Sequence, residues 1–121
     1  MRRTVLTVDD SRTMREMLKL ALCEAGFRVI QAEDGQAGLE ALAAETPEVI
    51  VTDINMPRLD GFGFIEGVRA DPRHRATPIL VLTTEGDAEK KTRGRQAGAT
   101  GWIVKPFDAA SLVAAVRKVM G

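Results

Sequence analysis

Carboxylate, hydroxyl and ammonium side chains stand at four points of this sequence where a run of apolar and β-branched residues ends. Asp9 and Asp10 follow TVLTV, Asp53 ends VIVTD, Thr83 ends ILVLT and Lys105 follows WIV. Three carboxylates brought together repel one another, at a cost of about 4 kcal/mol for a pair roughly 4 Å apart at an effective dielectric constant of about 20. Mg²⁺ relieves such repulsion, because it prefers carboxylate, water and phosphate oxygens. With an ammonium group and a hydroxyl group added, the set predicts a phosphoryl-transfer site, where catalysis is mostly positioning and charge neutralisation.

The elements that must bring these residues together alternate between short strands and helices. The patterns predict strands over 4–8, 27–32, 49–53, 79–83 and 102–104, and helices over 14–25, 35–44, 62–69, 88–97 and 112–120. Ser11 is the expected N-cap of the first helix and Gly26 its end. This alternation implies a parallel sheet with helices on both faces, because crossovers between parallel strands are right-handed. Ligands bind beyond the carboxyl ends of such strands, where the reactive side chains are expected.

Composition limits the class of protein. The 121 residues include 17 basic and 17 acidic side chains and one cysteine. We expect one domain over residues 1–121. Balanced charge argues against a nucleic-acid partner, and one cysteine cannot form an internal disulfide or a cysteine-based zinc site. The absence of a long apolar run or a signal peptide argues against a membrane partner, so the expected location is cytoplasmic.

Four motifs give the chain a resemblance to a known family. VDD ends the first predicted strand, TDINMP surrounds Asp53, LTT ends the fourth strand and KPF follows the fifth. With these motifs, essentially the whole chain resembles the receiver domain of two-component response regulators. The resemblance implies a flavodoxin-like α/β fold, in which five helices cover a five-stranded doubly wound parallel sheet of order 2-1-3-4-5.

The resemblance also implies a phosphoacceptor and a cofactor. Asp53 would take a phosphoryl group from the phosphohistidine of a histidine kinase and become an acyl phosphate. The side chains of Asp10 and Asp53 and the backbone carbonyl of Asn55 would bind Mg²⁺, and Asp9 would act through a metal-bound water. The protein would then be a switch that catalyses only its own phosphorylation and dephosphorylation, not an enzyme with other substrates.

Switch residues follow from the same resemblance. Lys105 and Thr83 would contact the phosphoryl group. Trp102 stands three residues before the lysine, at an aromatic switch position where the family more often has Tyr or Phe. Its indole is expected to become more buried on activation. Asn55 and Glu85, two residues after Asp53 and Thr83, would tune dephosphorylation.

Further motifs are similar to those of the chemotaxis type of receiver. They are DDSRTMR at the first helix and GATGW followed by KPF near the end of the chain. A stand-alone regulator of this type would dock on the flagellar motor switch through the fourth helix, fifth strand and fifth helix, where the basic stretch 90–95 lies. A histidine kinase and, where one exists, a phosphatase would be its other partners. The alternative is a phosphorelay shuttle or phosphate sink outside chemotaxis.

Two other classes of function can be weighed from the residues. A Mg²⁺-dependent phosphohydrolase with an aspartyl-phosphate intermediate would need an acid where this chain has Asn55, and a cap domain for which no residues remain. A flavodoxin-like electron carrier would need a hydroxyl- and glycine-rich loop after the first strand, where Asp9 and Asp10 would repel the FMN phosphate. Outside the site, His74 is predicted to be a solvated surface residue and Cys23 a thiol off the apolar face of its helix.

Overall fold

The computed structural model describes residues 2–121, in which five strands and five α-helices alternate. The strands are β1 (Thr4–Val8), β2 (Arg28–Ala32), β3 (Val49–Thr52), β4 (Ile79–Thr83) and β5 (Gly101–Val104). The helices are α1 (Arg12–Glu24), α2 (Gly35–Ala44), α3 (Gly61–Ala70), α4 (Ala88–Ala97) and α5 (Ala109–Met120), with a short 3₁₀ helix at Pro72–His74. Within this part of the chain, no helix is both long enough and apolar enough to cross a membrane.

The strands form one parallel sheet in the order β2-β1-β3-β4-β5, which confirms the predicted order. β3 lies at its centre. Val8 at the end of β1 pairs with Ala32 on one side and Thr52 on the other, and Thr83 pairs with Val104. Since parallel strands end at the same edge, the residues that follow β1, β3, β4 and β5 come together there.

The central strand is buried on both faces and divides the core into two layers. Ile50 packs in the layer that contains Phe64 of α3. Val51 packs in the opposite layer with Leu18 of α1 and Leu112 of α5. All four residues of β3 are buried, as expected for a continuous apolar run inside a parallel sheet. The end of β3, and with it the position of the next residue, is therefore fixed by packing from both sides.

A capping side chain precedes each of the five α-helices in residues 2–121. In every case its oxygen accepts a hydrogen bond from the N–H three residues later, which satisfies one free amide of the first turn. The caps are Ser11, Asp34, Asp60, Asp87 and Asp108. The start and end signals predicted for α1 are confirmed, since Ser11 caps it and Gly26 follows its end with a left-handed φ of 95°.

His74 and Cys23 lie outside the site, and the sequence predicts an environment for each. The prediction for His74 is wrong, because its imidazole is 1% exposed. His74 lies in the 3₁₀ helix, which Asp71 caps, and the Arg69 guanidinium donates to the His74 carbonyl at 2.8 Å. The segment therefore lies against α3, and the His74 side chain is buried rather than solvated. Cys23 on α1 is exposed, as predicted.

Candidate functional site

Three carboxylates meet at the carboxyl edge of the sheet. Asp9 directly follows β1 and Asp53 directly follows β3, and these two strands are neighbours. Oxygens of Asp9, Asp10 and Asp53 all lie within 4.8 Å of one another. Asp9 and Asp53 are buried, whereas Asp10 is exposed. The cluster is therefore closed on the protein side and open to solvent at Asp10.

Lys105 reaches this cluster from the end of β5. Its Nζ donates to Asp9 Oδ2 at 2.9 Å and to Asp53 Oδ2 at 2.8 Å. The other oxygens accept backbone hydrogen bonds, Asp53 Oδ1 from Ile54 at 2.6 Å and Asp9 Oδ1 from Ser11 at 2.9 Å. Lys105 precedes Pro106 through a cis peptide bond. One ammonium thus bridges the two buried carboxylates of the cluster.

Burial and pairing shift the pKa values of these groups. Burial raises the pKa of Asp9 above its ordinary value, and this outweighs the hydrogen bonds from Ser11 and Lys105 that lower it. Burial lowers the pKa of Lys105, but its hydrogen bonds to Asp53 and Asp9 more than compensate, so the pKa is raised overall. Lys105 is therefore charged at neutral pH and is a fixed positive charge beside Asp53.

The donor set fits a hard divalent cation. The three carboxylates carry more negative charge than the one ammonium group can neutralise. All the side-chain atoms that could bind a metal ion in this cluster are oxygens. Mg²⁺ takes octahedral oxygen coordination from one or two carboxylates, waters and phosphate oxygens. The exposed carboxylate of Asp10 leaves room for such waters.

Thr83 and Trp102 are linked through the backbone of one residue. Thr83 is fully buried, and its Oγ1 accepts a hydrogen bond from the Glu85 N–H at 3.3 Å. The Trp102 indole N–H donates to the Glu85 carbonyl at 2.8 Å. In the described residues no hydrogen bond joins the Thr83 hydroxyl to Asp53. Within residues 2–121, the two predicted switch residues are thus connected to each other, while Thr83 is not hydrogen-bonded to Asp53.

The two predicted tuning residues are in contact. Asn55 Nδ2 donates to Glu85 Oε1 at 3.0 Å, and Lys90 Nζ lies 2.9 Å from Glu85 Oε2. Lys90, then Asn55, holds the pKa of the Glu85 carboxyl below its usual range. Sequence reasoning missed Lys90 in this role, because a lysine in a basic helical stretch reads as solvated surface. No spacing rule would have found the pair, because Glu85 lies before α4 and the two residues are five apart rather than three or four.

Comparison with known proteins gives one family. The family model described as "Response regulator receiver domain" matches residues 5–117. A relative in Rhizobium etli, named as a probable chemotaxis protein CheY, is 36% identical over 118 residues, which cover 97% of this chain and 92% of the relative.

Solved structures agree with the fold. Chemotaxis protein CheY4 of Vibrio cholerae superimposes with a TM-score of 0.95 at 42% identity, over 98% of this chain and 99% of that one. The receiver domain of a sensor histidine kinase from Pseudomonas aeruginosa superimposes with a TM-score of 0.93 at 26% identity, over 100% of this chain and 99% of that one. That second structure has a magnesium ion coordinated in its active-site cleft.

Proposed function

The chain belongs to the response regulator receiver family, and we propose that it is a phosphoacceptor switch with Asp53 as the acceptor. One observation carries the proposal: the Lys105 ammonium bridges Asp53 and Asp9 within a cluster of three carboxylates. If Lys105 served only a structural ion pair, one carboxylate would be enough to neutralise it. Two further acids at the same strand edge fit a site that binds a cation and a phosphoryl group.

The proposed reaction needs little chemistry from the protein beyond positioning. An oxygen of Asp53 attacks the phosphorus of a phosphohistidine on a histidine kinase. The new P–O bond forms as the P–N bond breaks, and the released imidazole nitrogen takes up a proton. Lys105 lies 2.8 Å from Asp53 and is placed to donate to an oxygen of the transferred group. The Thr83 hydroxyl, at the end of the neighbouring strand, is the second proposed donor.

Mg²⁺ is the proposed cofactor. Asp10 and Asp53 would hold it through their side chains and Asn55 through its backbone carbonyl, with Asp9 acting through a water. When bound, the ion neutralises charge on the phosphoryl oxygens. The uncompensated negative charge of the cluster supports this proposal, as does the magnesium ion of the related receiver from P. aeruginosa.

The proposed output is a partner protein, with the flagellar motor switch as the chemotaxis partner and the cytoplasm as the location. The docking surface would comprise α4, β5 and α5. A cavity of about 210 Å³ there is lined by Lys91, Arg95 and Trp102, among others, so the proposed switch residue borders it. The chemotaxis names of the relative in R. etli and the structure from V. cholerae support this output.

Acetyl phosphate with Mg²⁺, followed by intact mass measurement, tests the phosphoacceptor. The wild-type protein is expected to gain one phosphate, and Asp53→Asn none, because the nucleophilic oxygen is lost. Asp87→Asn is the matched control, since that exposed acid caps α4 and an asparagine keeps the cap. Equal labelling of Asp53→Asn and the wild type would refute the assignment.

A further inference from the structure

An ion pair joins two loops beside the phosphorylation site. Arg58 lies between β3 and α3, and Asp34 lies between β2 and α2. Arg58 Nε donates to Asp34 Oδ2 at 2.6 Å and its Nη2 donates to Asp34 Oδ1 at 3.0 Å. The Asp34 side chain is 4% exposed and the Arg58 side chain 54% exposed. Such bidentate pairs fix geometry as well as charge.

The backbone of Arg58 is in a conformation that arginine disfavours. Its φ is 64°, and among residues 2–121 it is the one residue other than glycine with a positive φ. In this left-handed region the Cβ atom crowds the following carbonyl oxygen, so a glycine would be the ordinary choice. The guanidinium group of Arg58 makes two hydrogen bonds to the Asp34 carboxylate, which glycine could not make. This contact explains why a disfavoured residue occupies the turn.

Asp34 is itself held firmly. Its Oδ1 accepts the N–H of Ala37 at 2.8 Å as the N-cap of α2. The Gly35 N–H donates to the Leu59 carbonyl at 3.1 Å, and a Cβ at Gly35 would lie 2.5 Å from that oxygen. The two loops are therefore in direct backbone contact. The first turn of α2 is a rigid base on which Arg58 holds the other loop.

The held loop is the one that carries Asn55. It begins at Asp53 and is closed at its far end by the Gly61 N–H, which donates to the Ile54 carbonyl at 2.8 Å. Arg58 lies inside this closed loop, three residues after Asn55. Fixing Arg58 therefore restricts the peptide groups that precede it, including the carbonyl of Asn55.

We propose that Arg58 and Asp34 are positioning residues: their ion pair holds the loop between β3 and α3 so that the Asn55 carbonyl is placed to bind the divalent cation. This inference rests on the proposed function. It assigns no new role to Asp53, Asp9 or Asp10. Neither Arg58 nor Asp34 is proposed to touch the reacting atoms.

A second pair in the molecule has similar chemistry but a different position. Arg73 donates to both oxygens of Asp71, which caps the 3₁₀ helix at the end of α3, and both side chains are partly exposed. Exposed pairs of this kind contribute little. Asp71→Asn is therefore the matched control for Asp34→Asn, because each variant keeps its cap acceptor and loses the charge that binds an arginine.

Calorimetric titration of the unphosphorylated full-length protein with Mg²⁺ tests the proposal. Asp34→Asn and Arg58→Gly are each expected to weaken Mg²⁺ binding by about 10- to 100-fold, as for other groups that orient a metal ligand. Asp71→Asn is expected to match the wild type. Arg58→Gly is expected to fold without strain, because glycine readily adopts the φ of 64°. If Asp34→Asn does not fold, the Mg²⁺ affinity of Arg58→Gly is by itself enough to test the proposal. The double variant is expected to bind no more weakly than either single variant, since both remove one contact.

Labelling by acetyl phosphate gives a second readout. At saturating Mg²⁺ the variants are expected to reach the wild-type rate, with the half-maximal Mg²⁺ concentration raised. Wild-type Mg²⁺ affinity in Arg58→Gly and Asp34→Asn, with or without a lower melting temperature, would overturn the positioning role and leave the proposed function intact. A wild-type protein that neither binds Mg²⁺ nor becomes phosphorylated would overturn both.

Discussion

Asp9 and Asp10 are adjacent in the chain but have opposite environments. Asp9 is 1% exposed, and its two oxygens accept hydrogen bonds from the Ser11 N–H and from Lys105. Asp10 is exposed, and in residues 2–121 its carboxylate accepts no hydrogen bond. The oxygens of Asp10 are therefore free for a cation, while those of Asp9 are already engaged.

This difference predicts unequal effects on Mg²⁺ binding. Asp10→Asn is expected to weaken the affinity more than Asp9→Asn, because a direct ligand is lost. Without metal, Asp10→Asn is expected to raise the free energy of unfolding by about 1 kcal/mol, the size of a water-exposed repulsion between charges roughly 4 Å apart. Calorimetry and urea unfolding in the presence of a chelator measure the two effects. A less stable metal-free variant would show that Asp10 supports the fold.

His74 is a buried polar residue with an unmet hydrogen bond. Its Nε2 is buried and has no hydrogen-bond partner among residues 2–121. His74→Leu, of similar volume, is expected to raise the free energy of unfolding by about 1 kcal/mol, because an unsatisfied buried group is replaced by an apolar one. Urea unfolding of the two proteins measures this. A loss of more than 1 kcal/mol would mean that an ordered water satisfies the imidazole.

Helix α4 buries fewer of its residues than the other α-helices of residues 2–121. Gly94 is its one buried residue in the described structure. Ala97 packs at the edge of the core, Arg93 lies over the Phe62 ring at 4.1 Å, and Arg69 donates to the carbonyl of Gly98 after the last turn. Helices with few buried apolar contacts have low local stability and are the ones that move in switching. The prediction of a helix over 88–97 is confirmed.

Gly94 touches the Trp102 ring, and this contact can be tested. A Cβ at Gly94 would lie 2.5 Å from Cζ3 of the indole, so Gly94→Ala forces the ring outward. Overpacking costs about 1–3 kcal/mol and the gain in helix propensity returns at most about 1 kcal/mol, so a net loss of about 1 kcal/mol is expected. The emission of Trp102, the single tryptophan, is expected to shift to longer wavelength as the indole meets water.

Gly67→Ala is the matched control for that substitution. Gly67 lies in α3, where a Cβ would meet Leu39 methyl groups at 3.1 Å and no aromatic ring. It gains the same helix propensity without touching the indole. A Gly94→Ala protein with the emission of the wild type would show that the ring does not depend on this contact.

In the proposed switch, phosphorylation of Asp53 at the end of β3 must change a surface on β5, which lies beyond the intervening strand β4. The hydrogen-bonded link Thr83–Glu85–Trp102 runs in that direction. The indole is already more than half buried, so activation can bury at most about a third of its ~200 Å², worth less than about 2 kcal/mol at ~25 cal/mol/Å². A shift from 1:99 to 99:1 needs about 5.5 kcal/mol. New contacts of the phosphoryl group or of a partner must supply the rest.

A phosphate mimic makes this coupling measurable. Beryllofluoride with Mg²⁺ is expected to change the intensity or wavelength of Trp102 emission in the wild type. Thr83→Ala is expected to bind the mimic and show a smaller change, because the first group of the link is missing. Fluorine NMR confirms that the mimic is bound. Unchanged emission in a wild-type protein with bound mimic would show that the switch bypasses Trp102.

The sequence predicts the sheet and the position of Asp53 well for a physical reason. The run that contains Ile50 and Val51 is β-branched at every position and mostly apolar, which specifies a strand buried on both faces, and Asp53 must then lie at the edge. The Arg58–Asp34 pair gives no such signal, because residues 24 apart meet through two loops without periodicity. The burial of His74 gives no such signal either, because the residue lies in a charged and polar stretch without helical or strand periodicity.

The sparse burial of α4 has a consequence for how such a protein diversifies. Substitutions on β3 change both layers of the core and shift the position of Asp53, so this strand tolerates few changes. Along α4, in contrast, Gly94 is the one buried residue in the described structure, and most of the side chains are exposed. The exposed face of α4 can therefore vary among related proteins, or be redesigned, with little effect on the core or on the carboxylate cluster.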